Sequence, residues 1–145
     1  MRISAKGRYA LAVLLRMAQS GADNLVNVTQ LSEKLGISRV YLEQVVAPLK
    51  KSGLLLSTKG AQGGYRLAYP PEQITALDIL RATETSLFEQ PGRTLPKGQA
   101  PEIESALEVV AQRLQESIEK ALSGIHLSML VEEAAQAAGN YMFFI

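Results

Sequence analysis

With 145 residues, the chain has the size of one globular domain, or of one domain with an appendage. Hydrophobic residues make up 47% of it and charged residues 20%, which argues against wholesale disorder. The chain has no cysteine and one histidine, which excludes disulfides, thiolate nucleophiles, Cys-ligated metal or iron–sulfur sites, and sites built on several imidazoles. No run approaches the roughly 20 apolar residues of a membrane span, and no signal-peptide pattern is present, so we expect a cytoplasmic protein.

The net charge of +1 conceals two oppositely charged halves. Residues 1–69 hold ten Lys or Arg against three Asp or Glu, whereas residues 70–145 hold five against eleven. The basic half favours a polyanionic partner, because each cation placed on a phosphate releases condensed counterions. The alternative is a pair of solvated surfaces of opposite sign that dock on each other.

Two helices are predicted first in the basic half. Ser4 is the expected N-cap of one, whose apolar residues recur at helical spacing. The other opens on Asn27, with Gln30 three residues later as a capping box, and ends at Gly36.

A third helix is predicted after Ser38 and is closed by Gly53. Two short helices joined by a few residues around a glycine are typical of a helix-turn-helix. The inward apolar stripe is predicted to consist of Leu42, Val45, Val46 and Leu49. The donors suited to base edges in a major groove are Ser38, Arg39, Tyr41 and Gln44. The alternative interpretation is an ordinary surface helix.

Two strand-like runs, LLLST and YRLAY, flank KGAQGG and predict a β-hairpin, or wing. Lys59, with Gly60, Gly63 and Gly64, would bring a cation and a bare backbone close to phosphates or into a minor groove. A nucleotide-phosphate loop is less favoured, because the following Gly-Lys-Ser/Thr is missing and a strand follows in place of a helix. A plain hairpin turn remains the third interpretation.

The acidic half is predicted to begin with a helix capped by Thr75 and ending near Ala82, followed by the loop SLFEQPGRTLPKGQAP. A long helix from Glu102 to Leu122 carries an apolar seam that needs a partner, most economically the same helix of a second subunit. The seam residues are Ile103, Leu107, Val110, Leu114 and Ile118. A short helix, LSMLVEEAAQAA, and the ending GNYMFFI follow. We also consider an apolar pocket between the fourth helix and the long helix, which has no signature in the residues.

Four segments together resemble the Rrf-two family of winged-helix transcription regulators: MRISAKGRYAL, LGISRVYLEQVVAPLKKSGLL, KGAQGGYRLA and PPEQITALDILRA. The resemblance implies a mainly α fold, with a winged helix-turn-helix DNA-binding domain at residues 1–85, a flexible loop at 86–101, and a dimerisation helix with a C-terminal tail at 102–145. It further implies a homodimeric repressor that binds a palindromic operator in double-stranded DNA. The similarity is greatest to the family's repressors of cysteine metabolism, which implies a role in sulfur or cysteine metabolism.

The resemblance also implies roles for individual residues. It places Ser38, Tyr41, Glu43 and Gln44 in the major groove, beside Arg39, while Val40 stands at a position that is often polar in the family. Lys59 would enter the minor groove with Gly60 beside it. Backbone phosphates would be contacted by Arg2, Ser4 and Lys6.

The chain departs from the family in its sensor region. Cluster-binding members carry three cysteines after the fourth helix, where this chain has none. We therefore expect no iron–sulfur cluster, no other cofactor and no metal, and we interpret His126 as structural or solvent-facing. Enzyme activity is not expected, because no carboxylate pair, nucleophile–base set or phosphate loop stands out.

The ending NYMFFI resembles the tail of the cysteine-metabolism repressors, which work in complex with cysteine synthase. This implies a docking peptide for cysteine synthase, with a free terminal carboxylate that such a partner captures. The peptide would consist of Tyr141, Met142, Phe143, Phe144 and Ile145. The alternative function is thus a protein-interaction adaptor, and the alternative for the tail is that its aromatic residues pack over the dimer helix.

Overall fold

The structure is a computed structural model that describes the backbone of residues 2–143 and the side chains of residues 2–140. No helix in this part of the chain is both long and apolar enough to cross a membrane. Its elements in chain order are α1 (Ala5–Gln19), α2 (Val28–Leu35), α3 (Arg39–Lys51), β1 (Leu55–Thr58), β2 (Gly64–Leu67), a short 3₁₀ helix (Pro71–Gln73), α4 (Ala76–Thr83), α5 (Thr85–Phe88), α6 (Pro101–Ser123) and α7 (Leu127–Phe143).

The predicted N-caps are confirmed for the first three helices. Ser4 Oγ accepts a hydrogen bond from the Gly7 amide at 3.1 Å, which satisfies a donor that the first turn leaves free. Asn27 and Gln30 form the reciprocal capping box of α2, with distances of 2.8 and 2.9 Å. Ser38 caps α3 by accepting from the Tyr41 amide at 3.3 Å.

The core forms where one face of α3 packs into α1 and α2. The predicted inward stripe of α3 is confirmed, because none of its four apolar side chains is more than 1% exposed. Burying each contributes roughly 1.5–3 kcal/mol relative to leaving it in water. The neighbours supplied by α1 and α2 are Val13, Leu14, Met17 and Leu31.

The predicted hairpin is confirmed and is attached to the helical core. Strands β1 and β2 pair antiparallel, with the buried Leu55 opposite the buried Leu67. Tyr65 exchanges two backbone hydrogen bonds of 2.8 Å with Val26, which precedes α2. The wing is therefore held both by its own ladder and by the segment that leads into the helix-turn-helix.

The turn between α6 and α7 is bonded to the start of α4. The Ala76 amide donates to the Ile125 carbonyl at 2.8 Å, and the Leu127 amide donates to the Ile74 carbonyl at 2.7 Å. Leu127 is fully buried in the same core as α1, against which α7 packs. The start of α7 is thus built into the core of the winged domain.

Two elements differ from the sequence prediction. The stretch predicted to be entirely loop begins with α5, a single helical turn over Thr85–Phe88. The last helix is longer than predicted and extends to Phe143, because it continues through Gly139. A glycine in a helix costs only about 1 kcal/mol relative to alanine, which is too little to end the helix by itself.

Glu84, at the end of α4, is buried. Its side chain is 6% exposed, and Oε1 accepts a hydrogen bond from the Ser4 amide at 2.6 Å. This carboxylate therefore lies at the N-terminus of α1, where the helix dipole stabilises negative charge. Gly7 faces it so closely that a Cβ atom at this position would overlap Glu84 Oε1 and lie 2.9 Å from Ile3 Cγ2.

We predict that Gly7→Ala lowers the free energy of unfolding, because the added methyl displaces the Glu84 carboxylate from the first turn of α1. The helix propensity of alanine alone would raise it by up to about 1 kcal/mol. Gly139→Ala is the matched control, because a Cβ there meets no atom within 4 Å and the substitution should stabilise α7. Urea unfolding of both variants measures the difference; stabilisation by both substitutions would contradict the role of Glu84.

Candidate nucleic-acid interface

The solvent-facing side of α3 follows directly from its buried stripe. Arg39, Val40, Glu43 and Gln44 all lie on the exposed side of the first two turns. Val40 is 69% exposed and is an apolar residue among polar neighbours. The helix therefore presents a cation, a carboxylate and an amide near its N-terminus, the end that helix-turn-helix proteins insert into the major groove.

Ser38 and Tyr41 combine a structural role with their position on this face. Since Ser38 Oγ accepts the Tyr41 amide, its hydroxyl proton remains free to donate to a second group. The Tyr41 ring is half-buried and meets the Tyr9 ring edge-to-face, with centroids 5.1 Å apart and planes at 82°. This aromatic contact joins α1 to the start of α3 and stabilises the position of the exposed side of α3. The sequence pattern did not predict it.

The four wing residues identified from the sequence divide into two pairs. Lys59 and Gly60 are exposed in the turn, and Gly60 has a positive φ of 112° with no atom within 4 Å of a Cβ position. At Gly63 a Cβ would overlap the Thr58 carbonyl, and at Gly64 it would lie 2.9 Å from the Val26 carbonyl. The second pair is therefore required by the hairpin itself, whereas the first is accessible to a ligand.

The N-terminal arm lies at the first turn of α1. Arg2 and Lys6 are exposed, while the side chain and amide of Ser4 are occupied by the Gly7 amide and the Glu84 carboxylate respectively. Sequence reasoning identified the arm but missed Glu84, which is 80 residues away along the chain and fixes the arm's position.

The cations of these three surfaces have no carboxylate partners in the described part of the chain. The ion pair found there within 4.0 Å is Arg81–Glu119, which joins α4 to α6 at 2.9 Å. The exposed cations on the arm, α3 and the wing, namely Arg2, Lys6, Arg39 and Lys59, are thus available to an external anion.

A row of apolar side chains on α6 is open to solvent. Ile103, Leu107, Val110 and Leu114 are 42–67% exposed, and Ile118 is half-buried. Spacings of three and four place all five along one side of the helix. Exposed apolar rows of this length are common on surfaces that bind another protein.

Comparison with known proteins identifies the family. The model of the Rrf2 (Rrf-two) family, described as an iron-dependent transcriptional regulator, matches residues 3–133. The chain belongs to the Rrf2 family. The predicted winged helix-turn-helix fold with its long C-terminal helix is thereby confirmed, and the chain is a DNA-binding transcriptional regulator of this family.

Two curated relatives show how far the similarity extends. The chain is 32% identical over all 145 residues, the full length of both proteins, to the HTH-type transcriptional regulator CymR of Bacillus subtilis strain 168. It is 39% identical over 89 residues to the regulator IscR of Cereibacter sphaeroides, a match that covers 60% of this chain and 57% of that protein.

Solved structures of Rrf2 regulators have the same fold. CymR, described as the global cysteine regulator of B. subtilis, superimposes with a TM-score of 0.72 at 29% identity, covering 92% of this chain and 98% of that one. IscR of T. potens gives a TM-score of 0.71 at 33% identity and covers 94% of this chain and 90% of that one.

The residues of this chain do not fit an iron site, despite the family's description. Iron–sulfur clusters are held by Cys thiolates, and the chain has none. Among the described side chains, no three metal-ligating residues are grouped to hold an ion.

The loop that precedes α6 is anchored by Glu104, a buried carboxylate whose two oxygens accept hydrogen bonds from the amides of Thr94 at 2.8 Å and Leu95 at 3.0 Å.

Two further predictions have different outcomes. His126 has a structural contact, which is one of the two alternatives predicted for it. Its Nδ1 lies 2.9 Å from the Glu72 carbonyl oxygen. Because a carbonyl oxygen can only accept a hydrogen bond, this nitrogen is the donor. The docking role of Tyr141, Met142, Phe143, Phe144 and Ile145 stays a prediction, because their side chains lie outside the described residues.

We predict that acid releases the loop from α6. The amides of Thr94 and Leu95, aided by the Arg93 charge, hold the pKa of Glu104 below its ordinary value of 4.5. A lowered pKa in the folded state means that the anchor is fully present above pH 4.5 and is lost as the pH falls through the lowered pKa.

Amide NMR shifts of Thr94 and Leu95, followed from neutral pH down to about 3, should therefore titrate together with a midpoint below the ordinary carboxyl value. Glu104→Gln should remove the titration, and Glu102→Gln, at an exposed neighbouring position, should leave it in place. A midpoint at the ordinary value, or no effect of Glu104→Gln, would show that the carboxylate does not anchor the loop.

Proposed function

We propose that the chain is a homodimeric, sequence-specific DNA-binding repressor that reads a palindromic operator. The observation that carries the proposal is the exposed polar face of α3 beside a glycine-rich wing, both with cations that have no carboxylate partner among the described residues. Membership of the Rrf2 family supports it.

Each surface has a distinct chemical role in this proposal. The first turns of α3 enter the major groove, where Arg39 suits guanine, Gln44 suits adenine and Glu43 accepts from cytosine. Lys59 at the tip of the wing enters the minor groove, which Gly60 allows the backbone to approach. The exposed Arg2 and Lys6 bind phosphates and fix the register without reading sequence.

The apolar row of α6 would form the subunit interface. Pairing this row with its copy in a second chain removes it from water in a twofold arrangement, which then presents two copies of α3 to the DNA. Protein twofold symmetry is matched by a palindromic site, so the dimer and the operator form one proposal.

The regulated genes are proposed to belong to sulfur or cysteine metabolism. Support comes from the similarity over the full chain to CymR, described for B. subtilis as its global cysteine regulator. Because this chain offers no thiolates for a cluster, control is proposed to act through a ligand or partner protein.

We predict that two substitutions separate base reading from phosphate binding. Gln44→Ala should weaken operator binding by about 5- to 150-fold and relax the preference at one base pair. Lys6→Ala should weaken binding to all sequences alike and reduce the magnitude of the salt slope by about 1.

Titration of operator and scrambled duplexes at several salt concentrations measures both effects. Gln112→Ala is the matched control, since Gln112 is an exposed amide on α6 and should leave both affinities unchanged. Indistinguishable effects of Gln44→Ala and Lys6→Ala on every duplex would contradict the assignment of α3 as the recognition helix.

We also predict that Leu107→Asp dissociates the dimer, because it places a carboxylate within the apolar row. The dimer dissociation constant should rise by at least about 30-fold, the effect of losing one strong interface contact. Sedimentation velocity measures it. Val109→Asp is the control, because Val109 is 50% exposed on the same helix but outside the row. Equal effects of the two substitutions would argue against this interface.

A further inference from the structure

Val40 is an apolar side chain within an otherwise polar surface. It is 69% exposed, the largest exposed fraction among the large apolar side chains that the structure describes. It is the second residue of α3 and precedes Glu43 by three positions and Gln44 by four. Because residues at these spacings are neighbours on one side of a helix, Val40 lies beside the exposed carboxylate and amide.

Folding does not account for a valine at this position. The hydrophobic core is contacted from the opposite side of α3, and Val40 is not part of it. The start of the helix is already capped by Ser38, and a β-branched residue is a poorer helix former than alanine. Single exposed apolar residues are common on protein surfaces, but this one stands among the side chains proposed to contact base edges.

The chemistry of the major groove offers one partner to such a side chain. The base edges present hydrogen-bond donors and acceptors there, and the apolar group among them is the C5-methyl of thymine. A valine that displaces water from a polar base edge leaves that edge unsatisfied, because its side chain can neither donate nor accept. Against the thymine methyl the same displacement is favourable. Branching at Cβ also leaves valine one strongly preferred χ1 rotamer in a helix, so its methyl groups point in a fixed direction.

We propose that Val40 reads one thymine in each half-site of the operator through contact with its C5-methyl group. This assignment rests on the function proposed above, because it requires α3 to lie in the major groove. Val40 and Gln44 are one helical turn apart, which separates their Cβ atoms by about 5–6 Å. Base pairs are stacked about 3.4 Å apart. The thymine therefore lies within about two base pairs of the pair that Gln44 contacts.

Replacing thymine by uracil tests the contact, because it removes the methyl group and leaves the hydrogen-bonding edge of the base unchanged. The probe is an operator duplex selected from random-sequence DNA by the full chain, with each thymine replaced in turn in both half-sites. Fluorescence anisotropy at a fixed salt concentration gives the dissociation constants. At one thymine the replacement should weaken binding about fourfold for each half-site, or about 15-fold for both, because a methyl group loses its apolar contact.

Val40→Ser tests whether Val40 is the residue that contacts this methyl group. The variant should bind the thymine and uracil duplexes equally, because its hydroxyl side chain offers the methyl no apolar contact. Val109→Ser is the matched control, since Val109 is 50% exposed on α6, and it should retain the full difference. A uracil effect that arises from the deformability of the DNA would persist in Val40→Ser.

Three results would overturn the assignment. They are equal wild-type affinity for every uracil duplex, the same uracil sensitivity in Val40→Ser, and a sensitive thymine far from the base pair at which Gln44→Ala relaxes the preference. Each of these, obtained with sequence-specific binding, leaves the proposed function intact. If the protein selects no sequence, the proposed function has failed, and the assignment of Val40 fails with it.

Discussion

The burial of one face of α3 is the constraint on which the interface depends. The stripe of Leu42, Val45, Val46 and Leu49 is almost completely removed from water, which contributes roughly 1.5–3 kcal/mol for each side chain. Turning the helix by one position would bring Gln44 into the core, where an unsatisfied amide costs about 1–3 kcal/mol. The polar face is therefore held outward by packing on the opposite side, and Ser38 and the Tyr9–Tyr41 contact fix the N-terminal end of the helix, which we propose to be the end that enters the major groove.

The acidic half of the chain supplies residues that position and bury parts of the basic half. Glu84 receives the Ser4 amide, so a residue at the end of α4 positions the arm that carries Arg2 and Lys6. Leu127 at the start of α7 lies in the same core as α1. The position of the N-terminal arm therefore depends on residues of both halves of the chain.

The sequence predicted those features that depend on neighbours a few residues away. The caps at Ser4, Asn27, Ser38 and Thr75 were all predicted correctly, because each depends on a donor three residues later. The apolar stripe of α3 and the β-hairpin were also predicted correctly, because each depends on the spacing of residues that are close together in the chain. Glu84 could not be predicted to be buried, because its partner lies 80 residues away, and a glutamate on a helix ordinarily faces water.

In the proposed dimer, two copies of α3 read the two halves of a palindrome. Selection of genomic DNA fragments by the purified protein, at low and at moderate salt, tests it most directly. The predicted result is an enriched palindrome whose half-sites are centred about 10 base pairs apart, or a multiple of that, and which persists at moderate salt. Recovery of unpaired half-sites, or of no common sequence at either salt concentration, would contradict it.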